Sequence, residues 1–163
     1  MNTSIDIAKY FLSKDPQHIL FNKELRTLNG RTFYEGNARL NKYLHMAQNI
    51  YIAKEGKLLF SDSLYAYDNG AVAIPVQESY SLLLENHSSD ISGEIASFLD
   101  KIYTILENAS LDELIELSHE DSEWVKKKDF FNKSDQKMDS LAHIDEYKQQ
   151  YSDIIKWMER MEA

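Results

Sequence analysis

The chain has no cysteine among its 163 residues. That excludes a disulfide framework, zinc–cysteine sites, iron–sulfur clusters and a thiol nucleophile. Only two prolines and five glycines are present, so regular structure should dominate. The glycines are scattered, and none clusters ahead of a helix as a phosphate-cradling loop requires. No apolar run approaches the roughly 20 residues needed to span a bilayer. Residues Met1–Tyr10 lack the basic and apolar regions of a signal peptide. A soluble, cytoplasmic protein with no membrane partner is therefore expected. Positive charge is scarce: 18 Lys and Arg face 27 Asp and Glu, for a net charge of −9. Such a surface repels phosphate and disfavours nucleic acid as a partner. What is present is globular usage, with 43% hydrophobic and 28% charged residues and ten tyrosines. The length favours one domain with an ordinary core.

Apolar periodicity predicts a mainly α, compact domain of about five to seven helices with one small β-hairpin near residues 58–74 and a long C-terminal helix. Ile5, Ala8, Phe11 and Leu12 mark a first helix over 4–14, stopped by Pro16. Residues 15–37 read as a polar loop with turn signals at Asn29-Gly30 and Glu35-Gly36-Asn37 and a short helical turn around Asn22–Leu25. Leu40, Tyr43, Leu44, Ala47, Ile50 and Tyr51 predict a strong helix over 38–54, ended at Gly56. Three short apolar runs follow, Leu58–Phe60, Leu64–Tyr67 and Ala71–Ile74, with Asp68-Asn69-Gly70 as a hairpin signal that tolerates positive φ. Pro75 restricts any strand there to an edge. Helices are expected over 77–84 and 91–107, then after the capping-box pattern Ser110…Glu113, and again after Ser118…Asp121. Residues 126–137, with five lysines, read as a solvated linker, and 139–161 as a final helix. The corresponding division is 1–128, 129–138 and 139–163.

Chemistry-bearing patterns are few. Glu116, His119, Glu120 and Glu123 share one face if 116–124 is a continuous helix, and Glu-x-x-His is half of a di-iron bundle signature. The other histidines (His18, His45, His87, His143) lack a Glu three residues earlier, so the second half is missing. The ordinary reading is a helix start in which Ser118 caps, Glu120 and Asp121 favour the positive end of the dipole, and Trp124 packs inward. The second focus is Tyr65, Tyr67, Asp68, Asn69 and Gly70, which place aromatic and polar groups at a tight turn. They are either a packed hairpin tip or a rigid platform for a protein partner. Lys126-Lys127-Lys128 reads as a solvated face.

Three ordered blocks resemble the Panacea domain, the SocA-like antitoxin or phage-associated GepA-type family. They are Leu40-Asn-Lys-Tyr-Leu-His-Met-Ala-Gln48 with Gly56-Lys-Leu-Leu-Phe60; Tyr65-Ala-Tyr67-Asp-Asn-Gly70-Ala-Val72 running on to Pro75 and Tyr80; and Leu114-Ile-Glu-Leu-Ser118-His119-Glu-Asp-Ser-Glu-Trp124. The likeness covers about residues 4–128. Ala71 and Leu58 stand where the family has proline, the 22–37 connection is longer than usual, and the tail from about 129 lies outside the shared pattern, which marks a divergent branch. The resemblance implies a non-enzymatic, cofactor-free protein that binds and neutralises a cognate toxin or holds another protein client. The family also includes an adaptor that delivers its client to a protease. By position, Tyr67, Gly70, Pro75, His119 and Trp124 match its motif residues, and with Tyr65, Asp68, Asn69 and Tyr80 they are the partner-binding candidates. Two other readings stay open: a proteolytic adaptor, and a metal-dependent enzyme built on Glu116, His119, Glu120 and Glu123. The broad apolar face of the final helix also allows a homodimer.

Overall fold

The computed structural model describes residues 1–162; Ala163, the last residue of the predicted C-terminal segment, lies outside them. Helix α2, Glu35–Glu55, is the axis of the fold. Residues 40–50 of it are buried without a break, so it has no solvent face over three turns. A helix buried all round is normally apolar. This one is not: Asn41, Lys42, His45, Gln48 and Asn49 lie inside with the apolar residues. Their spacing forms one polar stripe along the helix, and each member anchors a neighbouring segment. Gly56 closes α2 in the left-handed region at φ 72°, as its sequence predicts.

Around this axis pack α1 (Ser4–Ser13), α3 (Ile74–Glu85), α4 (Gly93–Leu106) and α5 (Leu111–Ser118), followed by α6 (Ser122–Lys127), α7 (Ile144–Gln150) and α8 (Ser152–Glu162). Helix α1 starts at a Thr3–Asp6 capping box, and α5 at the expected Ser110–Glu113 box. The chain is mainly α, with two small antiparallel hairpins. No helix among the described residues is long and apolar enough to cross a membrane.

The first hairpin corrects the expected 15–37 loop. Strands β1 (Leu25–Leu28) and β2 (Arg31–Tyr34) pair around Asn29-Gly30, whose φ values of 53° and 75° suit a two-residue hairpin turn. The strands escape sequence reading because they are mostly solvated and lack apolar alternation: Leu25 is 69% exposed. Glu35-Gly36-Asn37 is not a turn but the first turn of α2. Gly36 is there because Tyr80 and the backbone of Asn22 press against it, leaving no room for a Cβ.

The second hairpin pairs β3 (Tyr65–Tyr67) with β4 (Gly70–Val72). Its turn is Asp68-Asn69 rather than Asn69-Gly70; only Gly70 takes positive φ, at 124°. Leu58–Phe60 makes a single bridge to Asn2 instead of a strand. Ile74 and Pro75 open α3, where a proline without an N–H costs nothing. The cap of α6 is Asp121, whose side chain accepts the Glu123 N–H; Ser118 instead donates back to the Ile115 carbonyl.

Residues 126–137 are not a solvated linker. Lys126 and Lys127 finish α6, Gln136 is buried, and Lys137 bridges to Tyr65 while the Met138 N–H donates to the Leu64 carbonyl at 2.8 Å. The predicted 139–161 helix is broken into a 3-10 turn at Ser140–His143, then α7 and α8, with Tyr151 between them off helical geometry. Tyr147, Tyr151 and Met158 bury the apolar face, and α7 lies on α2.

Candidate functional site

The polar stripe of α2 builds the region that carries the predicted site. The Asn41 side-chain oxygen accepts the Ala73 N–H at 2.8 Å, where β4 turns into α3. Lys42 Nζ donates to the Asn69 carbonyl at 2.6 Å, holding the tip of the second hairpin. Gln48 brackets the 58–60 segment, accepting from Leu59 and donating to the Phe60 carbonyl. His45 and Asn49 both reach Asp121, at 2.6 and 2.9 Å. Tyr147 donates to the other oxygen of Asp121 at 2.8 Å, so one carboxylate joins α2, α6 and α7.

Burial alone would raise the Asp121 carboxyl, but the hydrogen bond and charge of His45, with Asn49 and Tyr147, hold it well below the usual carboxylate range. The His45 Nδ1 has no hydrogen-bond partner. This His–Asp pair is enclosed, with His45 fully buried and Asp121 1% exposed. It is a lock between elements.

The two hairpins are tied tip to tip. Asn29 donates to the Asn69 side chain at 2.7 Å, and Asn69 donates to the Leu28 carbonyl at 3.3 Å. Arg31 Nε stands 3.9 Å from Asp68, and Arg26 pairs with Asp112 of α5. Behind the second hairpin, the Trp124 indole N–H donates to the Tyr67 carbonyl at 2.8 Å. Between the hairpins and α2 lies an open groove of about 350 Å³. Arg31, Phe33, Lys42, Tyr67, Asp68 and Val72 are among its walls, with the amides of Asn37, Asn69 and Gln77.

Of the nine predicted binding residues, Tyr67, Asp68, Asn69 and Gly70 come together in this groove. Gly70 is buried, and a methyl group there would collide with Lys42. Tyr65 lies half-buried in β3, paired with Val72 and Lys137, and does not line the groove. His119 stacks on Trp124 at 4.2 Å between ring centroids and 7° between planes. Burial first, then the nearby Lys42 and Lys128, push the imidazole below its ordinary value. Trp124 is 5% exposed and Tyr80 2%. Tyr80 donates to the Asn22 carbonyl. Both hold the fold. Pro75 is exposed on α3 and lies outside the groove.

Sequence reading missed Arg31, Phe33, Lys42 and Gln77. The polar residues of the Leu40–Gln48 helix were the available signal: Asn41, Lys42, His45 and Gln48 sit on turns that the apolar residues already mark as buried.

The four-residue metal cluster does not assemble. The chain breaks between α5 and α6, leaving Glu116 and Glu120 exposed and His119 on the indole. Glu123 is turned to the C-terminal segment, meeting Lys127 at 2.6 Å, the Asp139 N–H at 2.5 Å and His143 at 2.9 Å. Among the described residues no group of three His, Asp or Glu side chains is placed to hold a metal ion. No protein family, curated protein or solved structure matches the chain.

Proposed function

We propose that this chain is an antitoxin-like protein that neutralises a cognate toxin by direct contact and catalyses no reaction, with the groove face between its two hairpins as part of the contact surface. The observation that carries the reading is the groove itself. It is open, rimmed by Tyr67, Arg31 and Asp68, and held in shape by the cross-hairpin bonds of Asn29 and Asn69. A preorganised concave surface with an aromatic and an arginine at its rim suits polypeptide recognition, because little ordering is left to do on binding. Two of the four groups that sequence reading offered for chemistry are committed to structure: His119 stacks on Trp124 and Glu123 anchors the C-terminal segment.

The ordered resemblance to Panacea domains supplies the class of partner. The net charge of −9 favours a basic one through electrostatic steering. The test is co-expression with the reading frame beside this gene. A neighbour that arrests growth alone, and is tolerated when this chain is present, supports the proposal. A neighbour that is harmless alone, or stays toxic, overturns it.

One observation favours the adaptor reading as a second proposal. Phe131 is 99% exposed and Phe130 45%, on the turn after α6. An adaptor needs one surface for its client and another for the protease, and exposed aromatics are typical anchors. It predicts that client half-life shortens when this chain is present; an unchanged half-life argues against it.

A further inference from the structure

Lys42 is the residue of the groove that packing alone explains least. It is 2% exposed, lies against the groove wall, and its ammonium donates to one acceptor, the Asn69 carbonyl at 2.6 Å. An ammonium carries three donors. No carboxylate of the described residues pairs with it, and burial pulls it down to about 8. A buried cation without a counter-ion is costly, so an anion that could reach it would relieve that cost.

The groove around it is built for an anion of one charge. Two cations, Arg31 and Lys42, face one carboxylate, Asp68, among the lining residues, leaving a local positive site in an acidic chain. Arg31 is 64% exposed at the mouth while Lys42 lies at the floor. Phe33 and Val72 add apolar lining to the same groove. A dianionic phosphate exceeds the available positive charge. A carboxylate carried on a short apolar stem matches both the charge and the walls.

We propose that the groove is a carboxylate-binding site that receives an acidic side chain, best a glutamate, from the partner polypeptide, pairing it with Lys42 at the floor and Arg31 at the mouth. This inference rests on the reading of the groove as a polypeptide-contact surface. It does not depend on the partner being a toxin.

The experiment is a titration of the isotopically labelled full chain, followed through its backbone amide signals, with the capped peptide acetyl-Gly-Glu-Gly-amide. The Gln counterpart, acetyl-Gly-Gly-Gly with a free C-terminus, and inorganic phosphate serve as controls. The glutamate peptide should move the Asn69 and Gly70 signals saturably, and the glutamine peptide should bind at least about tenfold more weakly, as loss of a charge-assisted pair requires. Lys42→Met, which keeps the shape of the chain, should abolish the difference between the two peptides. Arg31→Gln, at an exposed position, should weaken the glutamate peptide about three- to tenfold.

Equal binding of the two peptides, equal binding to Lys42→Met, or no saturable shift up to about 20 mM overturns the proposal. So does tighter binding of phosphate or of the free C-terminus. If Lys42→Met fails to fold, an unchanged affinity in Arg31→Gln is decisive against it. Growth rescue without peptide discrimination removes this site and leaves the proposed function; peptide discrimination without rescue does the reverse.

Discussion

Gly70 and Lys42 need each other's space. The glycine sits at φ 124° directly over the lysine amine, so two independent constraints, backbone and contact, exclude a side chain there. Gly70→Ala should therefore destabilise by about 1–3 kcal/mol and disturb the hairpin tip first, which chemical denaturation and the amide signals of Asp68–Ala71 would register. Trp124→Ala should cost about 3–5 kcal/mol, the range for emptying a buried aromatic site. Trp124→Phe should cost about 1–2 kcal/mol, since it leaves the Tyr67 carbonyl without its donor. Tyr67→Ala should weaken partner binding by about 1–2 kcal/mol with the fold retained, because Tyr67 is half-buried and lines the groove. Tyr67 and Gly70 were legible as a site from the turn residues beside them. Tyr80 and Trp124 stand in the sequence as partner-binding candidates, but residue type and spacing do not say whether a side chain faces a partner or the core; here both face inward.

At the scale of elements, the apolar periodicity of α2 and α4 was enough to place them, whereas β1 and β2 carry their pairing in backbone bonds that leave little mark on side-chain pattern. The polar stripe of α2 is read in the sequence only as a lapse in apolar pattern. In the structure it fastens four segments, at Asn69, Ala73, Leu59–Phe60 and Asp121, and two of its members meet at Asp121. Removing that carboxylate with Asp121→Ala leaves His45 and Tyr147 buried without a partner and should cost about 3–5 kcal/mol. Its carboxyl is held below the ordinary value of 3.8, so its contribution is present above that pH and is lost as acid titrates it in the native state. Asp121→Asn should flatten stability against pH below about 4.

The C-terminal segment has the opposite dependence. Burial would lower His143, but Glu123 and Glu146 raise it above 6.5. The stability it lends is complete below 6.5 and fades as pH rises through the raised value. Amide exchange across residues 140–150, corrected for intrinsic rates, should show more opening on the alkaline side, and His143→Gln should remove that trend. A constant opening equilibrium in the wild-type chain would contradict it. The break between α7 and α8 and the docking of 133–138 on β3 were not legible, because a run of lysines looks solvated whether or not its backbone is bonded. Here Lys137 is exposed, whereas Lys127 pairs with the buried Glu123 and donates to the Lys137 carbonyl, and the chain between them closes on the hairpin.

Across the whole molecule, charge and shape point the same way. An acidic chain with a positively lined groove is suited to a partner that is basic in bulk and acidic at one contact, a pattern that gives fast encounter and selective docking. The central claim is that the chain works by holding another polypeptide through that face. The most direct measurement is the mass, by light scattering after size exclusion, of a mixture of this chain with the purified product of the adjacent reading frame. The wild-type chain should elute as a complex heavier than its own 19.0 kDa, and the folded variants Tyr67→Ala and Arg31→Gln should form less of it at equal concentration. Separate elution of the two wild-type proteins, or an undiminished complex with both variants, would contradict the account.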